Sequence, residues 1–414
     1  MRALSRPLLA ALAFAAAASA QSGMRDRYFA RYPFEQWQSE GPAAALKWSA
    51  RVQPARLSVH QRLALRVEIQ IDRGELDARR SHGEIVVLVE VRDSQGRRWR
   101  THEVFDLSRI PPDAKAQNLD YSQDAFVLPG DYRISMAVCD SQTREHSFST
   151  VIQKVPPPKR DPLPRASADL PQLEFVRLHD IPDSWFQPYL RGRLKLPVDS
   201  AGPLHVDLVM NLTPSQRAQG SLRAFRRNMS VLVPSLRVLA GLGLPAGALD
   251  LSLLDLAARR SWDQKAVRTL DWNRLREPFA SANPGIVDAR QLAEKGGMLQ
   301  FLWDQLLDRL RGDTPSKKAL IVLSAPMFLE GQNRLEPSVL AKQPGRRVFY
   351  IRYRSVARTM IVAPDGSVQP SAPAMPPDEV ERVMKLLDAK IYSVSSPEEF
   401  RRALASIITE LGRM

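Results

Sequence analysis

From residue 62 to 72 the chain alternates. Leu63, Leu65, Val67, Ile69 and Ile71 are apolar, and Arg62, Ala64, Arg66, Glu68, Gln70 and Asp72 fall between them. A period of two predicts a strand with one buried and one solvated face. The alternation returns at Tyr132, Ile134, Met136 and Val138, after the turn Pro129-Gly130-Asp131, and it places Cys139 on the opposite face. Residues 85–91, 99–107 and 146–155 read as further strands, with Asp93-Ser94-Gln95-Gly96 as a turn. Several short strands joined by turns predict an antiparallel sandwich over 44–155.

Past Leu170 the period changes. A β-like lead (173–178, then 190–196) reaches an apolar run, Leu204-His205-Val206-Asp207-Leu208-Val209-Met210, that reads as a buried strand. Leu222, Phe225, Met229, Leu232, Leu236 and Leu239 then fall on one helical face, with Pro234 expected to kink it. Strand signals follow at 249–256, at 265–272 as an edge strand, and at 319–323, 348–353 and 391–394. Leu299, Leu302, Trp303, Leu306 and Leu310 mark a second helix, and Phe400, Ala403, Leu404, Ile407, Ile408 and Leu411 a third. Ser396, Pro397 and Glu399 suit the third helix's cap, first position and capping box. Alternating strands and helices over 172–414 predict an α/β domain with a mainly parallel sheet.

The remaining stretches frame these two domains. Arg2 and Arg6, the apolar run 7–18 and the small-x-small triplet Ala18-Ser19-Ala20 read as an export signal over 1–20. The apolar part is too short to anchor in a bilayer, and no later stretch resembles a transmembrane segment. The expectation is a soluble exported protein, periplasmic or extracellular. Residues 21–43 are an aromatic lead-in (Tyr28, Phe29, Tyr32, Phe34, Trp37), read as a short helix packed on the next domain or as an arm for a partner. Residues 156–171 open with Pro156-Pro157-Pro158 and read as an extended linker. The lone Cys139 cannot form an internal disulfide, so packed cores must supply stability. With 59 Lys+Arg against 45 Asp+Glu, the net charge of +14 favours anionic partners, although the basic residues are scattered.

The first strand of the α/β domain runs into Asn211-Leu212-Thr213-Pro214-Ser215. Gly296-Gly297-Met298 opens the second helix, and Ile321-Val322-Leu323-Ser324 runs into Ala325. With these landmarks residues 204–414 resemble a von Willebrand factor type A domain. The whole layout of signal, sandwich (itself similar to the immunoglobulin-like sandwiches of exported bacterial proteins) and α/β module resembles secreted bacterial proteins related to that domain. The resemblance implies a loop holding Mg²⁺ or Mn²⁺ through Asp-x-Ser-x-Ser, a Gly-Gly-Thr and an Asp at the end of a buried strand. Hard cations of this kind require oxygen ligands with carboxylate charge. Here Asn211, Met298 and Ala325 stand where the family has Asp, Thr and Asp, and only Thr213 and Ser215 keep their hydroxyls. The expectation is therefore a lost metal site and no cofactor. A shift of the alignment by a few residues brings Asp304 or Asp207 into candidacy. The bland alternative is that Asn211, Thr213 and Ser215 simply stabilise a strand-to-helix loop. The stretch 355–377, with an Asp365-Gly366 turn, is a second candidate loop.

The six His residues show no metal-binding spacing, and no nucleophile elbow or Walker loop is present. Gly241-Leu242-Gly243 follows a helix and reads as a helix stop rather than a dinucleotide loop. The leading expectation is a non-catalytic exported module of the protein-binding or adhesion type, independent of metal, with a protein or envelope component as partner. The alternatives are a binder of anionic envelope polymers and an enzyme whose site matches no recognised motif.

Overall fold

A computed structural model describes residues 28–109, 118–176, 190–213, 222–282, 297–311, 317–327, 335–338, 343–353, 359–362, 368–371 and 378–414. The export-signal reading of 1–20 therefore lies outside the described residues, as do Pro214, Ser215, Gly296 and most of 355–377. The chain divides into two compact units, one formed up to Arg56 with Leu63–Pro158 and Pro171–Val176, the other by Leu57–Arg62, Lys159–Leu170 and Arg177–Met414.

In the first unit, β1 (Ala43–Ala44), β4 (Glu84–Asp93), β5 (Arg98–Asp106), β7 (Gly130–Asp140) and β8 (His146–Val155) form one antiparallel sheet in the order β1-β8-β7-β4-β5. A second sheet runs β2 (Trp48–Leu57), β3 (Leu63–Ile71), β6 (Leu119–Val127), β9 (Leu173–Phe175). Leu65, Val67, Ile69 and Ile71 of β3 face Ile85, Val87, Val89 and Val91 of β4 across one core. The alternation in sequence predicts this face-to-face packing. On the outer side of β4 and β7 lies a second apolar layer. Phe29 and helix α1 (Phe34–Glu40) bring Phe34 and Trp37 onto Val86, Leu88, Ala137, Cys139 and Phe148. This explains why β4 is buried on both faces. Burial pushes the Cys139 thiol up to about 12, so it is an inert packing group. A short helix, α2 (Arg73–Ala78), also belongs to this unit.

Two stretches pack differently from the expected boundaries at 156–171 and 172. Residues 171–176 return to the sandwich, where β9 pairs with β6 and buries Leu173 and Phe175. Residues 159–170 belong to the α/β unit, tied there by Asp161.

The α/β unit is built on a sheet of β11 (Leu204–Asn211), β13 (Ala248–Asp255), β14 (Arg260–Gln264), β15 (Lys317–Ser324), β16 (Arg346–Tyr353) and β19 (Lys390–Val394). Its order is β14-β13-β11-β15-β16-β19, with all pairs parallel except the β13–β14 edge. Chain order thus reverses between β11 and β15, as in doubly wound sheets. Helices α3 (Leu222–Leu239), α4 (Trp272–Ser281) and α7 (Pro397–Gly412) share one core with sheet residues such as Val206, Leu208 and Ile321. Helices α5 (Gly297–Arg311) and α6 (Glu379–Leu386) cover Val209, Leu320 and Val322 on the other face.

Several expectations are corrected. The edge strand lies at Arg260–Gln264, not 265–272, because the chain turns back immediately after β13 and pairs Leu251 with Gln264. Trp272 instead starts α4, capped by Asp271. Residues 190–195 are not strand, and only Leu196–Pro197 (β10) pairs, with Leu242–Gly243 (β12). Helix α3 spans Leu222–Leu239 with Pro234 inside it, where the stripe in the sequence places a helix. In the 355–377 stretch, Thr359–Val362 (β17) and Val368–Ser371 (β18) pair antiparallel. The α7 cap is present, with Ser396 Oγ accepting from Glu399 N at 3.2 Å, but Glu399 reaches back to Ser395 N at 2.6 Å rather than to the cap residue.

One glycine is fixed by close approach. A Cβ at Gly247 would fall 2.0 Å from the carbonyl oxygen of Leu204, where β11 begins. Because backbone must move, Gly247→Ala is expected to destabilise by ~1–3 kcal/mol. A denaturant midpoint equal to that of the unsubstituted chain would refute this.

Candidate functional site

Open α/β sheets bind ligands at the carboxyl ends of their strands where strand order reverses. Here that place is the end of β11, at Asn211 to Thr213, beside the end of β15, at Ser324 to Met327. The structure brings Asn211, Thr213 and Ala325 together there, all buried.

Their polar groups face one another. Asn211 Oδ1 accepts from Thr213 N at 3.0 Å, and Asn211 Nδ2 donates to Ser324 Oγ at 3.0 Å. The same Nδ2 lies 2.9 Å from Met327 Sδ. Thr213 Oγ1 accepts from Leu256 N at 2.7 Å, and Ser324 Oγ donates to Ala325 O at 2.6 Å. An amide suits this place because it must both accept and donate. A carboxylate could not donate to Ser324. Met298 lies in the first turn of α5 and packs against the apolar cluster that also contains Met327. Ser215 lies outside the described residues.

Two carboxylates stand nearby, and both are occupied. Asp255 Oδ1 caps the turn after β13, accepting from Ala257 N at 3.0 Å and Ala258 N at 3.1 Å. Asp378 is the N-cap of α6. Its Oδ1 accepts from Met327 N at 3.0 Å and Val380 N at 3.1 Å, and its Oδ2 from Tyr350 OH at 2.9 Å. Burial raises both carboxyls above the usual range despite these bonds. A divalent cation needs several oxygens free to converge, with negative charge. The described residues at this end supply instead an amide NH₂, a thioether and carboxylates already committed to backbone N–H groups. They do not fit Mg²⁺ or Mn²⁺.

Sequence reasoning offered Asp207 alone and missed the cluster that it forms with His205 and Asp250. It lies toward the amino ends of the strands, where Asp207 pairs in register with Asp250. His205 Nε2 is 3.6 Å from Asp207 Oδ1 and 3.3 Å from Asp250 Oδ2, so these three side chains could gather round a cation. The signal was the period-two pair His205-x-Asp207 in an otherwise apolar strand. Two ammonium groups already serve the carboxylates, however: Lys265 Nζ at 2.9 Å from Asp250 Oδ2 and Lys318 Nζ at 3.4 Å from Asp207 Oδ2. Asp207 beside the ring holds the His205 pKa above its ordinary value, against the opposing effect of burial. Two lysines balance two aspartates, so a divalent cation would have to displace both. The cluster is an ion network with buried carboxylates, open to solvent at Lys265. Asp304, the other alternative, bonds to Gln300 on the exposed side of α5.

No protein-family model and no curated protein matches the chain. Solved structures with some likeness include the chicken interferon gamma receptor alpha chain, at 14% identity and TM-score 0.18, covering 26% of this chain and 50% of that one. The putative ApaA protein from Bordetella pertussis matches at 12% identity and TM-score 0.17, over 28% of this chain and 98% of that one. A glycosyl hydrolase family 2 member from Bacteroides cellulosilyticus matches at 9% identity and TM-score 0.19, over 85% and 39%. This chain spans half the length of the first of these. Likeness at this level carries no inference about activity. No helix among the described residues is long and apolar enough to cross a membrane.

Proposed function

We propose that the chain is an exported, non-catalytic binding protein. In this reading an immunoglobulin-like sandwich is joined to a von Willebrand A-like module that engages a protein or envelope component without Mg²⁺ or Mn²⁺. The observation that carries it is the Asn211 amide, which spans Thr213 N and Ser324 Oγ at the point where strand order reverses. The sheet order and its single antiparallel edge support the module's architecture, and a loop at the point where strand order reverses supports a binding role. The internal bonds of Asn211, Thr213 and Ser324 support a rigid surface in place of a metal cage. Arg2, Arg6 and Ala18-Ser19-Ala20 support export.

The test is the melting temperature of the chain in EDTA and then in excess Mg²⁺ or Mn²⁺. A cation at about 100 times its dissociation constant adds ~2.7 kcal/mol, a readily visible shift. The expected result is the same midpoint in all three. A specific upward shift with either metal would overturn metal independence. Cross-linking to the native envelope fraction tests the binding role, and recovery of no partner at high loading counts against it.

The net charge of +14 favours a second reading, binding to anionic envelope polymers. That reading requires an affinity that falls steeply with salt.

A further inference from the structure

One edge of the sandwich is left open. Strand β1 pairs with β8 only where Ala43 stands opposite Phe148 and Ala44 opposite Ser147. Beyond Phe148 no described strand lies on that side of β8, and Pro156-Pro157-Pro158 ends the strand. The opening is therefore 149–155, and Ile152 is its middle residue. Ile152 is also the one exposed large hydrophobic among the described residues, at 74%.

The direction of the backbone follows from the alternation of the ladder. Ala45 N donates to His146 O at 3.3 Å, so His146, Phe148 and every second residue after them turn N–H and C=O away from β7. Thr150, Ile152 and Lys154 thus present both groups to the opening. The Lys154 carbonyl accepts from the side chain of its neighbour, Gln153 Nε2 at 2.9 Å, where a paired strand would donate. Open edges are commonly guarded by proline, charge or a bulge. Strand β2 has Pro54 with Arg51 and Arg56, and β5 has Arg98, Arg100, Glu103 and Asp106. Strand β8 is guarded far less. Its register with β7 runs without a bulge from Gly130 opposite Val155 to Cys139 opposite His146, and Lys154 is the single charge in the opening.

We infer that this edge is the surface on which a second copy of the chain docks, β8 against β8, antiparallel about a two-fold axis at Ile152. The opening is self-complementary in that register. Ile152 stands opposite its own copy, Thr150 opposite Lys154 and Val151 opposite Gln153, so the lone charge never meets itself. Thr150, Ile152 and Lys154 each exchange both outward backbone bonds with their counterparts. The two Ile152 side chains, with Cβ atoms about 5 Å apart, cover one another. Slipping the register shortens the ladder at β1 or at the prolines. A two-fold contact of this kind closes on itself and gives a dimer. Two copies so joined carry the α/β unit twice, which for the binding role proposed above makes a second contact intramolecular. That consequence rests on the reading of the switch-point loop, whereas the pairing does not.

The test is sedimentation velocity of the full chain across micromolar concentrations. The expected result is a monomer–dimer equilibrium that Ile152→Lys weakens by at least about tenfold, because it sets two ammonium groups opposite each other. Ile152 is exposed, so the melting temperature of the monomer should not move. Charge reads the register. Thr150→Lys faces the partner's Lys154 and should weaken pairing, and Thr150→Lys/Lys154→Glu should restore it. Thiol chemistry reads it independently. The one native cysteine, Cys139, is buried, so an introduced cysteine is the accessible one. Ile152→Cys is expected to give a disulfide-linked dimer under mild oxidation. Thr150→Cys, ~14 Å from its own copy in this register, is expected not to. A monomer at every concentration, or a dimer that Ile152→Lys leaves unchanged, overturns the interface. Equal disulfide yield from the two cysteine variants, or no recovery in the charge swap, overturns it as well. None of these readouts depends on metal or on an envelope partner.

Discussion

Replacing Asp161 by alanine is expected to cost the α/β unit ~3–5 kcal/mol, because it leaves a buried guanidinium without its counter-charge. Arg401, on α7, is 4% exposed. It makes a two-pronged bond to Asp161, Nε to Oδ1 at 2.6 Å and Nη2 to Oδ2 at 2.7 Å. It also donates to Leu163 O at 3.0 Å and Gln61 O at 3.3 Å. The backbone contacts keep the guanidinium in place when the carboxylate is removed, so the charge cannot escape to solvent cheaply. The measurement is a urea midpoint for the α/β transition. Arg401→Met/Asp161→Leu together should recover much of the loss, since replacing both members of a buried pair by apolar groups is often neutral. A single-variant cost under about 1 kcal/mol, the range of exposed pairs, would show that the bond contributes only as a surface pair does. The pair also sets a pH dependence. Burial alone would raise the Asp161 carboxyl, but the Arg401 bond and Leu163 N–H outweigh burial and hold it below the usual range. The unfolded chain therefore takes up the proton first as pH falls. The contribution is complete above the unfolded value of about 4 and is lost as pH falls through the folded one.

Asp161 also marks the limit of what the sequence tells. Its stretch reads as a spacer from its prolines, and nothing local announces a partner on the last helix, 240 positions away. Period and buried face were legible where a strand has one wet side, as in β3. They failed at the edges. Strand β2 carries Pro54 and polar residues at an exposed border, and β14 has only Trp262 as a large apolar residue. Both were unread or misplaced because edge strands need little burial. The double burial of β4 depends on the aromatic layer of α1, whose docking is a tertiary fact. The residue types at the switch-point loop were legible, since Asn211 and Ala325 carry no carboxylate. What the amide does instead was not legible, because its partner Ser324 lies on a different strand.

Asp378 carries the second large effect, and it concerns the ground beneath the switch-point loop. Removing its carboxylate by Asp378→Ala strands Met327 N, Val380 N and Tyr350 OH, all of which donate to it within 3.1 Å. Each buried donor left unpaired costs ~1–3 kcal/mol, so a loss of at least ~3 kcal/mol is expected. Met327 also packs against the Asn211 amide, so the loop should loosen with it, visible as faster amide exchange at Thr213 and Leu256. Asp378→Asn should cost less, because its Oδ1 can still accept from both backbone N–H groups while Tyr350 turns to accept from Nδ2. The two variants also differ from the unsubstituted chain in pH response. Burial raises the Asp378 carboxyl above its ordinary value, against the bonds from Met327, Tyr350 and Val380. Between the unfolded and the folded pKa, the folded chain keeps a proton that the unfolded chain has released. Stability therefore falls as pH rises through that window, and asparagine, which does not titrate, should remove that slope. A steep slope retained in Asp378→Asn would assign the pH response to another group. An alanine variant as stable as the asparagine one would show that the three donors find water when the carboxylate is gone.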